Sequence, residues 1–333
     1  MKRIAINGLG RIGRLILRRY CEDAPKGVEI VAVNDLVAPE NLAYLVRFDS
    51  VHGRTAYPVT NEGDRLLLKK HRIKVYAEKD PARLPWKELD VDVVLECTGL
   101  FTKRDLAAKH LAAGAKRVII SAPSATADVT IVPGVNDHHF EPANHQILSL
   151  ASCTTNSLAP PLKVLQENFG VEYAMVTTVH AYTISQALVD GPAKKLRRGR
   201  AAAISLIPTT TGAAVATTQV LPELKGRLDA ISIRVPVVDG AITDMVVHLG
   251  QECSAEQVNE VFKIAAEGSM HGILDYSEEE LVSADILGDS HSGIIDALST
   301  RVLQGRVAKV LVWYDNECGY ARRLLDVFER LPL

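Results

Sequence analysis

The chain has 333 residues, 47% of them hydrophobic and 23% charged, with a formal net charge of −2. That length suits two domains of ordinary size, each with its own core. The near-neutral balance gives no signal for nucleic acid or a membrane surface as partner. Cys21, Cys97, Cys153, Cys253 and Cys318 are an odd number with no Cys-x-x-Cys spacing. This argues against a disulfide framework or a zinc site and for a reducing compartment, so a cytoplasmic protein with no metal is expected. The N-terminus turns glycine-rich too soon for a signal peptide. No run approaches the ~18 apolar residues of a membrane span.

Arg3 to Ile6 predicts a short strand running into Gly8-Leu9-Gly10-Arg11-Ile12-Gly13, a GxGxxG, with a helix from Arg14 to Cys21. A second strand, Val28 to Val33, ends at Asn34-Asp35, and Asp35 lies 22 residues beyond Gly13. An acid at that distance suits the hydroxyls of a ribose, and the glycines let a pyrophosphate approach the backbone and the helix N-terminus. His52 and His71 are read as surface or turn residues. Further strands run from Val91 to Leu95, entering Thr98-Gly99, and from Arg117 to Ile120, entering Ser121. Between them a helix is expected from Lys103 to Ala113, capped by Gly114. Alternating strands and helices predict an α/β domain with a doubly wound parallel sheet. Ligands bind at the carboxyl ends of such strands, so Thr98, Gly99 and Ser121 join the candidate dinucleotide contacts.

The strand-like run Ile147 to Leu150 leads into Ala151-Ser152-Cys153-Thr154-Thr155-Asn156, followed by helix-like sequence from Ser157 to Phe169. A cysteine at a helix N-terminus meets unpaired N–H groups and the positive end of the dipole, which favour thiolate. Pro160 and Pro161 are expected to kink that helix, because each removes a backbone donor. The strand Tyr173 to His180 delivers His180, 27 residues after Cys153, within reach of a role as base. A basic loop follows, five of the seven residues 194–200 being Lys or Arg. It reads as a solvated face, or as a site for a small anion, since guanidinium pairs well with phosphate. Thr209-Thr210-Thr211-Gly212 offers hydroxyls and an N–H of the same use. Strands at Ala230 to Val235, Thr243 to Leu249 and Val307 to Tyr314, with a helix from Ala255 to Glu267, predict an α+β domain on a mixed or antiparallel sheet. A last helix is expected from Gly319 to Leu331.

Six segments carry a family resemblance: Ile6 to Arg14, Ala151 to Asn156, His180-Ala181-Tyr182-Thr183, Thr209 to Ala214, Arg234-Val235-Pro236 and Trp313 to Glu317. In order and spacing the chain resembles the phosphorylating glyceraldehyde-3-phosphate dehydrogenases from end to end. The resemblance implies a Rossmann domain over 1–152 that is joined by a C-terminal helix, 317–333, and a catalytic domain over 153–316 with an S-shaped loop around 181–204. It implies a homotetramer, NAD as cofactor, and glyceraldehyde 3-phosphate and inorganic phosphate as substrates. Cys153 is then the nucleophile and His180 the base. Gly8, Gly10, Arg11, Ile12, Gly13, Asp35, Lys79, Thr98, Gly99, Ser121 and Asn316 are expected at the cofactor. Thr183 and Arg234 are expected at the substrate phosphate, and Ser152, Thr154, Thr211 and Gly212 at the inorganic one. Arg198 is expected to contribute to phosphate binding, with Arg197 and Arg200 as neighbouring alternatives. Asp35, Leu36 and Pro192 favour NAD over NADP. Two departures stand out: Ser185 replaces a common Asp, and Ser157 the second cysteine of the usual motif. Erythrose-4-phosphate dehydrogenase is the competing function, although Ala181-Tyr182-Thr183 follows the glyceraldehyde-phosphate pattern.

Overall fold

A computed structural model describes residues 1–23 and 25–333. The chain forms two compact units, 1–152 with 321–333, and 153–320.

The first unit is built on a nine-stranded sheet. Its order across the sheet is Val129–Thr130, Ile147–Ser149, Arg117–Ile120, Val93–Glu96, Lys2–Asn7, Val28–Asn34, His71–Tyr76, Arg65–Leu68 and Val59–Glu62. The first seven run parallel, and the last two add an antiparallel edge. The chain leaves the central strand Lys2–Asn7 in one direction and returns to its other side at Val93–Glu96. This is the doubly wound, Rossmann-like order, with its switch point between those two strands.

The central strands read as unbroken apolar runs because both faces are covered. Ile4, Ala5, Ile6, Val93, Val94 and Leu95 have no solvent exposure. The helix after the glycine turn is Arg11–Asp23, three residues earlier than its apolar pattern predicts, so Gly13 lies inside it. A Cβ on Gly13 would stand 2.0 Å from the Gly8 carbonyl oxygen, and one on Gly8, at φ 94°, would stand 2.8 Å from the Thr98 nitrogen. These two glycines are therefore required by packing. The helix Arg104–Ala112 ends ahead of Gly114, whose φ of 105° ends it and whose missing Cβ leaves room for Lys87. His71 opens a strand and packs on Tyr20, so it is more embedded than a turn residue.

The second unit is a seven-stranded mixed sheet, ordered Ile207–Thr210, Leu228–Val235, Val171–Ala181, Ala241–Leu249, Val307–Tyr314, Gly293–Leu303 and Leu274–Ser277. Three helices, Cys153–Phe169, Ala213–Val220 and Ala255–Glu267, pack on one another and on the strands. A capping box between Ser254 and Gln257 fixes the start of the third. The long strand Gly293–Leu303 lies outside the sequence expectations. Its first residue must be glycine, since a Cβ there would lie 2.6 Å from Val312.

Two expectations are corrected here. The helix after Cys153 begins at Cys153 itself and not at Ser157, and it runs through Pro160 and Pro161 to Phe169 without a break. Twelve of its 17 residues are buried, both prolines included, so packing holds the helical backbone although two N–H donors are missing. The last helix, Cys318–Arg330, is divided between the units at Tyr320/Ala321, not at Glu317. Among the described residues no helix is long and apolar enough to cross a membrane.

Candidate active site

Sheet register assembles the centre of the second unit. His180 pairs with Arg234 on the parallel neighbour and with Ala241 on the antiparallel one, and Ala241 pairs with Tyr314. Arg234, His180, Ala241 and Tyr314 thus form one row across four strands. The period of two along Val171–Ala181 buries Ala174, Val176, Thr178 and His180 together. Alanine at the third place of the row leaves room for the rings on either side of it. Tyr314 meets His180 edge-on, with centroids 5.9 Å apart, and its hydroxyl lies 3.0 Å from Thr154 Oγ1 and 2.9 Å from Thr178 Oγ1.

Cys153 is the first residue of its helix. Before it, Ala151 takes the left-handed region at φ 54°, a conformation that costs a non-glycine residue ~1 kcal/mol, and so turns the chain from strand to helix. Cys153 Sγ lies 3.6 Å from His180 Nε2. His180 Nδ1 lies 2.7 Å from the Ala181 carbonyl oxygen, which can only accept. The imidazole therefore carries its proton on Nδ1 and turns the bare lone pair of Nε2 towards the thiol. Arg234 Nη1 donates to the same carbonyl at 2.9 Å and comes within 3.2 Å of Nδ1.

Electrostatics refine the expectation of a thiolate. Burial pushes the Cys153 thiol up, against the lowering effect of Arg234 and of the Thr154 hydroxyl and N–H. Burial, with Arg234 second, holds His180 down to about 3, while the Ala181 carbonyl pulls the other way. Both shifts favour the uncharged forms, a thiol facing a neutral imidazole. The helix N-terminus does not outweigh the desolvation of a lone thiolate.

A second cluster lies on the basic loop. Arg198 donates through Nε to Thr209 Oγ1 at 2.9 Å, through Nη2 to the Thr210 carbonyl at 3.3 Å and through Nη1 to Ser185 Oγ at 3.4 Å. Ser185 Oγ lies 2.9 Å from Thr183 Oγ1. Arg198 is therefore the arginine gathered to the threonines. Arg200 turns to Asp190 instead, at 2.8 Å, and Arg197 is exposed. Among the described residues Arg198 has no carboxylate partner, because Ser185 stands in the place of an acid. Gly212 begins the helix Ala213–Val220 in open space, with the Thr211 hydroxyl accepting from the Ala213 N–H at 3.1 Å. Asn316 follows the strand Val307–Tyr314. It is 7% exposed, and among the described residues its Oδ1 has no hydrogen-bond partner.

In the first unit, Gly8, Gly10, Arg11, Ile12, Gly13, Asp35, Thr98, Gly99 and Ser121 cluster at the carboxyl ends of the parallel strands. Lys79 lies exposed beyond His71–Tyr76. Asp35 Oδ2 accepts from the Leu9 N–H at 2.7 Å and so steadies the glycine turn. The Arg11 guanidinium is bound to Asp49 at 2.5 and 3.1 Å. Burial opposes the Asp49 charge, yet Arg11 and the His52 and Val51 N–H groups hold this carboxyl at about 2. The Arg11 side chain is thus held by Asp49, while the backbone N–H groups of Arg11 and Ile12 open the helix. Sequence reasoning missed Tyr314, whose hydroxyl links those of Thr154 and Thr178. The quoted Trp313 to Glu317 segment was the only signal, and it carried no chemistry by itself.

A glycine-turn Rossmann unit joined to a unit with a buried thiol–imidazole pair and anion-suited hydroxyls has the make-up of a dinucleotide-dependent oxidoreductase working through a cysteine. Residues 2–104 match the model of the glyceraldehyde 3-phosphate dehydrogenase NAD-binding domain, and residues 152–316 that of the C-terminal domain. The chain is 51% identical to glyceraldehyde-3-phosphate dehydrogenase 2 of Streptomyces avermitilis, covering 98% of this chain and 97% of that one. It is 52% identical both to glyceraldehyde-3-phosphate dehydrogenase of Geobacillus stearothermophilus and to glyceraldehyde-3-phosphate dehydrogenase 1 of Bacillus subtilis, over 98% of this chain and 96% of each. The chain belongs to the glyceraldehyde 3-phosphate dehydrogenase family.

Because the Arg234 charge lowers the Cys153 thiol, Arg234→Leu should push the thiol further up. Alkylation of the free protein by iodoacetamide should then rise with pH around a midpoint above that of an ordinary thiol. In Arg234→Leu the midpoint should be higher still and the neutral-pH rate roughly tenfold lower. A wild-type midpoint below the ordinary thiol value would contradict the assignment.

Proposed function

We propose that the protein oxidises glyceraldehyde 3-phosphate with NAD and inorganic phosphate to the acyl phosphate 1,3-bisphosphoglycerate. The observation that carries this reading is the bare Nε2 of His180 facing Cys153 Sγ at 3.6 Å beside Arg234.

The first unit suits a dinucleotide. Gly10 has nothing within 4 Å of where a Cβ would be, which leaves the backbone open to a pyrophosphate. The N–H groups of Arg11 and Ile12 sit in the first turn of a helix, where no intrahelical acceptor reaches them. Asp35 is placed to bind ribose hydroxyls and to repel a 2′-phosphate, hence NAD before NADP. The orphan Oδ1 of Asn316 is an acceptor suited to a carboxamide N–H. Bound NAD supplies the hydride acceptor.

As Cys153 attacks the aldehyde carbon, its thiol proton passes to His180 Nε2, and the Ala181 carbonyl steadies the imidazolium through Nδ1–H. The aldehyde oxygen takes that proton back from His180 Nε2 and becomes the hydroxyl of a hemithioacetal, which leaves the imidazole neutral. His180 then removes the hydroxyl proton as the carbon is oxidised, leaving a thioester on Cys153 and an imidazolium. Phosphate oxygen attacks the thioester carbon, and the sulfur leaves as thiolate and regains its proton from His180.

Two anion sites serve these steps. Thr183 and Arg234 hold the substrate phosphate. Ser152, Thr154, Thr211 and Gly212 hold the inorganic one, with Arg198 contributing charge that Ser185 does not neutralise. Tyr314 fixes the Thr154 hydroxyl for this purpose.

The outer face of the second sheet exposes Tyr173, Met175, Ile231 and Val246, an apolar strip that suits a second copy of the chain. We assign a homotetramer on that basis together with the family resemblance. All five cysteines are free thiols, which fits the reducing cytoplasm.

In stopped flow, protein with NAD and glyceraldehyde 3-phosphate should give a stoichiometric NADH burst without phosphate and sustained turnover with phosphate or arsenate. Steady turnover without phosphate, faster on erythrose 4-phosphate, would contradict the assignment in favour of the competing dehydrogenase. Sedimentation should find four 36.2 kDa chains together; a monomer at micromolar concentration would contradict the tetramer.

A further inference from the structure

Behind the glycine turn of the first unit lies a polar network closed to solvent. Asn7, Asn34, Trp86, Glu96 and His110 are all 5% exposed or less. Trp86 Nε1 donates to His110 Nδ1 at 2.9 Å, so the ring proton of His110 must sit on Nε2, which lies 3.0 Å from Glu96 Oε2. Asn7 Nδ2 donates to the same oxygen at 2.6 Å, and Asn34 Nδ2 donates to Asn7 Oδ1 at 2.7 Å. The other Glu96 oxygen accepts from the Thr98 N–H at 2.8 Å and from the Thr98 hydroxyl. The main-chain oxygen of Glu96 receives the Ser121 N–H at 3.0 Å and the Ser121 hydroxyl at 2.9 Å.

The network reaches each turn that frames the proposed cofactor site. Asn7 precedes Gly8, and its carbonyl receives the Cys97 N–H at 2.7 Å; Asn34 precedes Asp35, and its carbonyl receives the Gly8 N–H at 2.8 Å. Thr98 sets the space that only a glycine at position 8 fits. Four donors and no acceptor converge on the Glu96 side chain, the complement a carboxylate needs when buried. Such a set fixes position as well as charge, because the donors come from three points of the site's wall or its backing, Asn7, Thr98 and His110.

We propose that Glu96 and His110 are positioning residues for the dinucleotide, holding the strand ends at the sheet's switch point in the spacing that binds NAD. The proposal rests on the cofactor reading given above. Glu96→Gln is a sharp test, because either orientation of the amide turns its NH2 onto a donor. One orientation meets the Thr98 N–H, which cannot rotate. The other meets His110 Nε2–H, and the Trp86 donor prevents His110 from exchanging its tautomer.

By equilibrium dialysis, Glu96→Gln should weaken NAD binding about tenfold or more. Its Cys153 alkylation rate without NAD should stay within about twofold of wild type, a readout in the other unit. Trp86→Phe should weaken NAD binding less, and ring 15N NMR should show His110 released from the pure Nε2–H tautomer. A folded Glu96→Gln protein with wild-type NAD affinity would overturn the proposal. So would a parallel loss of NAD affinity and alkylation, which marks general damage. If Glu96→Gln does not fold, Trp86→Phe decides: a released tautomer with unchanged NAD affinity overturns the proposal. Absence of NAD binding by the wild-type protein would instead strike at the cofactor reading itself.

Discussion

The main-chain carbonyl of Ala181 accepts two donors, the Nδ1–H of His180 and the guanidinium of Arg234. The rest of the site depends on this shared acceptor. It fixes the histidine tautomer, and so decides which nitrogen faces Cys153. It also ties a positive charge to the imidazole, which adds to burial in disfavouring a charged ring and favours negative charge on sulfur or on an incoming phosphate. Arg234 and His180 are neighbours because the parallel strands Leu228–Val235 and Val171–Ala181 pair them in register. A one-residue slip would turn both away from the site.

Burial makes each single charge costly at this site while leaving a pair of opposite charges acceptable. A thiol is protected from stray alkylation and oxidation, and it becomes a nucleophile when its proton passes to His180 Nε2, which lies 3.6 Å from the sulfur. The sheet adds a second layer to this arrangement. Tyr314, one strand beyond Ala241, spans the Thr154 and Thr178 hydroxyls. Ser157, in the place of a second cysteine, bonds Thr243 at 2.9 Å and anchors the next turn of the Cys153 helix. In the first unit, hydrogen bonding beneath the strand ends plays the corresponding part. There Asp35 and Glu96 back the turn in which Gly8 and Gly13 have no steric alternative.

Local features were legible in the sequence. The strands Arg117–Ile120 and Val307–Tyr314 and the helix Ala255–Glu267 have the bounds that their periodicity predicts. Cys153, His180 and the glycine turn are recognisable because their chemistry sits in contiguous motifs. The Cys153 helix begins four residues earlier than its apolar pattern suggests, because Thr154 to Asn156 are polar residues buried by tertiary contacts. The basic run did not separate Arg198 from Arg197 and Arg200, since all three have the same propensity and only the approach of Thr209 distinguishes them. Tyr314 with Thr154, and Glu96 with Asn7, are 160 and 89 residues apart. Such pairs leave no periodic trace, because sheet order alone brings them together. The upward push of burial on the Cys153 thiol was not legible for a related reason: a helix N-terminus is local and visible, whereas desolvation belongs to the folded site.

The chemistry of the site turns on His180 resting as a neutral imidazole with its proton on Nδ1. Ring 15N NMR of histidine-labelled protein, with the His180 signals assigned by their loss in His180→Asn, reads that state. At pH 7 Nδ1 should read as protonated and Nε2 as bare, with imidazolium forming only as the pH falls towards about 3. An imidazolium at pH 7, or a proton on Nε2 with Nδ1 bare, would contradict this assignment.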